Sequence, residues 1–170
     1  MISWVRFEWD LSKGGVPVPS IPPLAMSIAV PEDKETVLKV VLTAFELDSA
    51  WGDVMRRVEK GMKGHIRSVF EPAEPNCIVV KHGARIIGAS LLTLDPEAEN
   101  HLLSGPMILH EYRNRGVGSG LLAASLEHLR SRGVLKVRGI TRANSVVERF
   151  IYPKFSGVSA SWVGEPLAKA

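Results

Sequence analysis

Gly116 and Gly118 stand between an apolar run ending near Leu109 and a helical repeat beginning at about Val117. Glycine lets the backbone turn sharply and lets main-chain N–H groups approach an anion unshielded, while the helix dipole adds roughly half a positive charge at that end. The chemistry is that of a pyrophosphate cradle. Arg113 and Arg115 either add charge-assisted contacts there or stand as solvated surface arginines. Spacing separates the cradle from two familiar phosphate loops. The chain has no GxxxxGK run, and Gly116, Gly118 and Gly120 give G-x-G-x-G, with Leu121 where a dinucleotide fingerprint needs glycine. The next strand ends in Thr141-Arg142 rather than an acid, which further weakens a nicotinamide-nucleotide oxidoreductase as the competing class.

Other reactive residue types are sparse. His110-Glu111 is followed by Asn114 where a His-Glu-x-x-His zinc site needs its second histidine, so no metal is expected. Cys77 is the only cysteine, which excludes an intramolecular disulfide framework, and it reads as a small buried hydrophobe. Hydrophobic residues make up 45% and charged residues 23%, ordinary globular usage. No apolar stretch approaches the ~18 residues of a membrane span, and the first ten residues are too charged for a signal peptide, so a cytoplasmic protein without membrane association is expected. The net charge of +3 comes from 21 basic and 18 acidic residues. That excess can draw in a polyphosphate, but no dense basic stripe interleaved with aromatics points to nucleic acid.

The elements that must position the cradle follow from periodicity. Trp4, Phe7 and Trp9 read as a short strand, and the prolines between Pro17 and Pro23 force an extended connector, so residues 1–25 are expected to form an arm. That arm either packs along its own domain or covers a cleft or a partner. Residues 26–170 are expected to form a single domain. Within it, a strand over 26–30 leads to a helix opened by Pro31-Glu32-Asp33, with Val37, Leu38, Val41, Leu42 and Phe45 on one face. A weaker helix over 51–61 is followed by a loop or broken helix to Asn76. Strands over 77–81, 84–94 and 100–109 make a meander, the third interrupted by Gly105-Pro106. Proline cannot donate to a sheet ladder, so the interruption marks an edge, a bulge or a separation of strands. A strong helix from Val117, a strand over 134–141, a short helix over 144–152 and a final strand over 158–163 complete the chain.

Arg113-x-x-Gly116-x-Gly118, set in Glu111-Tyr112-Arg113-Asn114-Arg115-Gly116-Val117-Gly118-Ser119-Gly120-Leu121-Leu122, resembles the signature of the GNAT superfamily of acyl-CoA-dependent N-acetyltransferases. The element order over 26–163 is similar to that family as well. The resemblance implies an α+β fold, with a mostly antiparallel twisted sheet of six to seven strands, about four helices, and a splay between strands four and five. It assigns the pyrophosphate of acetyl-CoA to Asn114, Arg115, Gly116, Val117, Gly118 and Ser119, with Arg113 beside them. It places Pro106, Met107 and Ile108 at the bulge facing the acyl carbonyl and pantetheine arm, and Asn144 at the opening of the fourth helix.

The resemblance further implies direct attack by a primary amine, of a small molecule or a peptide, on the thioester. Ile108 N–H is then the oxyanion donor and Tyr152 the proton donor to the departing thiolate. His101, Glu111 or a chain of waters takes the amine's proton. Asn144 and Tyr152 are eight residues apart, one more than the family spacing, so either Ile151 takes the tyrosine's place or an irregular turn restores the aim of Tyr152. A module that binds CoA without chemistry is the alternative function. Homodimerisation through the last strands is a further implication.

Overall fold

A computed structural model describes residues 3–167. Strand β1 (Trp4–Asp10) pairs antiparallel with both β6 (Lys136–Arg142) and β7 (Val158–Trp162), forming a three-stranded sheet with β1 in the middle. Residues 4–10 therefore pack along the domain itself, the first of the two expected alternatives. Trp9 is fully buried and Phe7 nearly so, and seven residue pairs join β1 to β6. Local sequence shows the strand but not a partner more than 120 residues away. The proline-rich connector then crosses the third helix. A side chain at Gly120 would begin 2.8 Å from Ile21 Cδ1, and Val16 N–H donates to Glu127 Oε2 (3.0 Å).

The second sheet is an antiparallel ladder of β2 (Leu24–Ile28), β3 (Cys77–His82), β4 (Arg85–Leu91) and β5 (Met107–Ile108). Helix α1 (Lys34–Glu46) buries Val37, Val40, Val41, Ala44 and Phe45. Helix α2 (Met55–Val69) does not break at Gly61 as expected, because Val58, Met62, Ile66 and Val69 continue one buried face. Tertiary packing outweighs the roughly 1 kcal/mol that each interior glycine costs. Gly61 also admits Leu167, whose carbonyl would lie 3.3 Å from an added Cβ. Helix α3 (Val117–Ser131) follows the glycine turn, and residues Val147–Ile151 form a π-helical turn where a short α-helix was expected.

The fold is thus mixed α and β with antiparallel sheets, and the hydrogen-bonded order breaks between β5 and β6, the fourth and fifth strands counted from β2, where the splay was expected. The expected long third meander strand is only two residues of β5. Residues 100–103 instead stitch the sheets together. His101 N–H donates to the Arg138 carbonyl (2.7 Å), Ile140 N–H to Asn100 Oδ1 (3.0 Å), and Leu103 N–H to the Leu91 carbonyl (2.9 Å). Past the Gly105-Pro106 interruption the stitching ends and a cleft opens. No helix among the described residues is long and apolar enough to cross a membrane.

Candidate active site

A cleft of about 360 Å³ is lined by Pro106, Met107 and Ile108 on one wall, and by Arg113, Asn114, Gly116, Val117, Gly118 and Ser119 at the mouth of α3. Val146, Val147, Phe150, Ile151 and Lys154 line the other side, with Asp48 beside them. The turn needs left-handed backbone at Asn114 (φ 64) and Gly116 (φ 76), conformations that asparagine and glycine adopt most readily. The first helical bond runs from Gly120 N–H to the Gly116 carbonyl (2.9 Å), and no side chain caps α3 and no acid sits in its first turn. Its leading N–H groups and positive dipole end are therefore available to an anion. Gly118 has a different task, since a side chain there would begin 2.7 Å from Ile151 Cδ1 and fill the cleft.

On the facing wall, Leu109 N–H donates to the Ile87 carbonyl (2.9 Å). Antiparallel alternation then turns Ile108 N–H away from β4, toward the side where β5 has no partner strand. Arg113 Nη2 donates to the Ala44 carbonyl (3.1 Å), which ties the turn to the end of α1. Arg115 lies outside the lining, its guanidinium 5.6 Å from the Tyr112 ring centroid.

The remaining expected site residues fall elsewhere. His101 is fully buried and both ring nitrogens are engaged. Nδ1 accepts from Arg138 N–H (2.9 Å), so the proton resides on Nε2, which donates to the Asp95 carbonyl (2.8 Å). Burial holds its pKa below the ordinary 6.5. It has no lone pair to offer an amine, and its expected role as base is corrected to that of a cross-link between sheets. Glu111 is exposed on a single 3-10 turn (His110–Tyr112) and does not line the cleft. Asn144 is exposed at φ 68, also outside the lining. The turn that follows it is capped by Ser145 Oγ, which accepts from Glu148 N–H (3.2 Å), and by Asp48 Oδ2, which accepts from Val146 N–H (3.1 Å).

Tyr152 N–H bonds the Val147 carbonyl five residues back (2.9 Å), and with this π turn Ile151 lines the cleft while Tyr152 enters the core. Its ring meets Phe7 and Trp9 edge to face, at centroid distances of 5.5 and 5.2 Å. The hydroxyl has no hydrogen-bond partner among the described residues and would lie 3.1 Å from a Cβ on Gly105, directly behind Pro106. Burial pushes its pKa far above the ordinary 10. Tyr152 and Trp51 face a void of about 20 Å³, and Trp51 Nε1 is likewise unpaired. That void shares Asn100, Leu103, Ile140 and Pro166 with a second cleft of about 640 Å³, on the α2 and β7 side.

Sequence reasoning missed Asp48, Lys154 and the second cleft. Asp48-Ser49 before Trp51 carries a capping signal, and Asp48 Oδ1 does accept from Ala50 N–H (3.0 Å). Nothing local marks Lys154 as a cleft residue. Cys77 is fully buried, and burial raises its thiol to about 12, as befits a packing residue. Among the described residues no cluster of three or more His, Cys, Asp or Glu could hold a metal ion.

Residues 41–152 match the acetyltransferase (GNAT) family, and the chain belongs to that family. Among solved structures it is similar to a GCN5-related N-acetyltransferase from Sphaerobacter thermophilus, at 16% identity and TM-score 0.63, covering 94% of this chain and 49% of that one. It is also similar to a GNAT-family acetyltransferase from Colwellia psychrerythraea, at 15% and 0.63, covering 95% and 54%. A tandem GNAT protein from the clavulanic acid biosynthesis pathway aligns at 15% and 0.51, covering 97% and 55%. At these identities the likeness is one of fold, and the chain spans about half the length of these structures. No curated protein matches the sequence significantly.

Proposed function

We propose that the protein transfers an acetyl group from acetyl-CoA to a primary amine, with the cleft between β5 and α3 as the CoA site. The observation that carries this reading is the uncapped, acid-free mouth of α3 facing a strand end, β5, that has no partner on the cleft side. The N–H groups of residues 117–119 hold the pyrophosphate, and Arg113 and Lys154 add positive charge beside it. Gly118 keeps the cleft wide enough for the ligand. Acetyl-CoA supplies the activated acyl thioester.

Ile108 N–H donates to the carbonyl oxygen as negative charge develops there. Tyr152 gives its hydroxyl proton to the departing sulfur, from behind Gly105-Pro106. Burial raises the Tyr152 pKa and keeps the hydroxyl protonated at neutral pH. The single cysteine, held as a buried thiol, accords with a cytoplasmic location. The edge strand β7, with Val158 71% exposed, is the surface through which a homodimer would form.

Isothermal titration with CoA, followed by thiol release from acetyl-CoA over an amine panel, tests the reading. Micromolar CoA binding that is lost on obstructing the glycine turn, together with turnover of an amine, is the expected result. Binding without turnover of any amine would instead identify a CoA-binding module.

A further inference from the structure

Phe150 is 59% exposed, whereas every other aromatic residue of the chain is buried or half-buried. A lone exposed ring is ordinary on a protein surface, and it is the position of this one that matters. Phe150 lines the cleft between β5 and α3, on the same wall as Ile151 and Lys154.

The π turn sets that position. With Tyr152 N–H bonded to the Val147 carbonyl (2.9 Å), Val147 and Tyr152 are buried, Ile151 faces the mouth of α3, and Phe150 is left at the rim. A Cβ at Gly118 would begin 2.7 Å from Ile151 Cδ1, so Ile151 abuts the first turn of α3. Consecutive Cα atoms lie about 3.8 Å apart, which puts Phe150 one residue outward from the proposed pyrophosphate seat. The backbone on either side is held. Val146 N–H donates to Asp48 Oδ2 (3.1 Å), and Trp9 Nε1 donates to the Lys154 carbonyl (2.9 Å). The Arg149 guanidinium lies over the Phe150 ring, 5.1 Å from its centroid. A cation on one face steadies a ring and leaves its other face open, and among the described residues no second aromatic ring packs there.

A volume of about 360 Å³ is at the small end of the range for ligand sites. The acyl arm and the phosphates of a donor held at α3 fill such a cleft, so a nucleoside beyond the pyrophosphate must lie on the rim. We infer that the open face of Phe150 is the platform on which the nucleobase of the acyl donor stacks, and that it selects a nucleotide-linked thioester over one borne on the phosphopantetheine arm of a carrier protein. The inference rests on the acetyl-transfer reading above. Stacking on an aromatic face is tolerant of base identity, so Phe150 registers the presence of a base rather than its kind. It touches no reacting atom and acts on donor binding alone.

The test is calorimetric titration of the wild type, Phe150→Ala and Phe150→Trp with CoA and with its two halves, adenosine 3′,5′-bisphosphate and 4′-phosphopantetheine. Phe150→Ala is expected to bind CoA and the bisphosphate about tenfold more weakly and 4′-phosphopantetheine as tightly as the wild type does, while Phe150→Trp restores both losses. The KM for acetyl-CoA in thiol release rises about tenfold in Phe150→Ala. Melting temperatures stay at the wild-type value, because the ring is exposed. An equal loss for CoA and 4′-phosphopantetheine would make the ring a wall of the cleft and overturn the inference, as would CoA binding indifferent to residue 150. Either result leaves acetyl transfer standing, since the wild type still binds CoA. A wild type that binds no CoA removes the acetyl-transfer reading and the platform with it.

Discussion

Replacing Tyr152 with phenylalanine removes one oxygen from the most consequential buried position in the protein. The ring keeps its edge-to-face contacts with Phe7 and Trp9, and the lost hydroxyl had no partner among the described residues. A buried hydroxyl left unsatisfied costs about 1–3 kcal/mol, so the variant is expected to be more stable by about 1 kcal/mol, or roughly 2–4 °C in Tm at this chain length. Loss of a proton donor to the thiolate lowers kcat by about 100-fold or more, while the CoA Kd stays fixed. Initial rates of thiol release, a melting curve and a CoA titration measure the three quantities. Because burial raises the Tyr152 pKa far above 10, the wild type loses no activity through this group between pH 7 and 10. A variant that is stabilised but keeps kcat within about threefold of the wild type would refute the donor role and leave Tyr152 as a core ring.

Gly116→Ala forces a side chain onto φ 76 and is expected to cost about 1 kcal/mol in urea unfolding, because the space there is open and only the backbone is strained. Gly118→Val obstructs the cleft against Ile151 and is expected to weaken CoA binding at least about tenfold by calorimetry, with the far-ultraviolet circular dichroism unchanged. His101→Ala strips partners from Arg138 N–H and the Asp95 carbonyl and leaves a cavity, for an expected loss of about 3 kcal/mol in denaturant unfolding. Burial lowers the folded-state pKa of His65, His101 and His128 from 6.5. The unfolded chain therefore takes up protons first as pH falls below about 6.5, and stability drops there, by at most about 1.4 kcal/mol per pH unit for each histidine. Melting temperatures from pH 7.5 to 5 follow this, and a flat profile would contradict it.

The glycine turn was legible because its backbone requirement is local. Gly116, Gly118 and Arg113 lie within six residues, and a glycine turn feeding a helix leaves the leading N–H groups uncapped, as they are at α3. Pro106 was legible for a similar reason, since a ring nitrogen without a proton interrupts a ladder in any fold. The residues expected to handle protons were read less well. His101 has the residue type of a base, but its lone pair is taken by Arg138, 37 residues away. Helix α2 was cut short at Gly61 because glycine propensity is visible along the chain and the buried face of Met62, Ile66 and Val69 is not.

By itself the sequence determined the α and β character, the position of the glycine turn before α3 and the family to which the chain belongs. These depend on backbone geometry over a few residues, where glycine, proline and hydrophobic period act directly. Only the tertiary structure decided that β1 is the middle strand of its sheet, that Ile151 rather than Tyr152 lines the cleft, and that His65 rather than His101 keeps a free lone pair. Those outcomes hinge on one extra residue in a π turn and on which distant backbone group reaches a ring nitrogen, contacts set when the whole core packs.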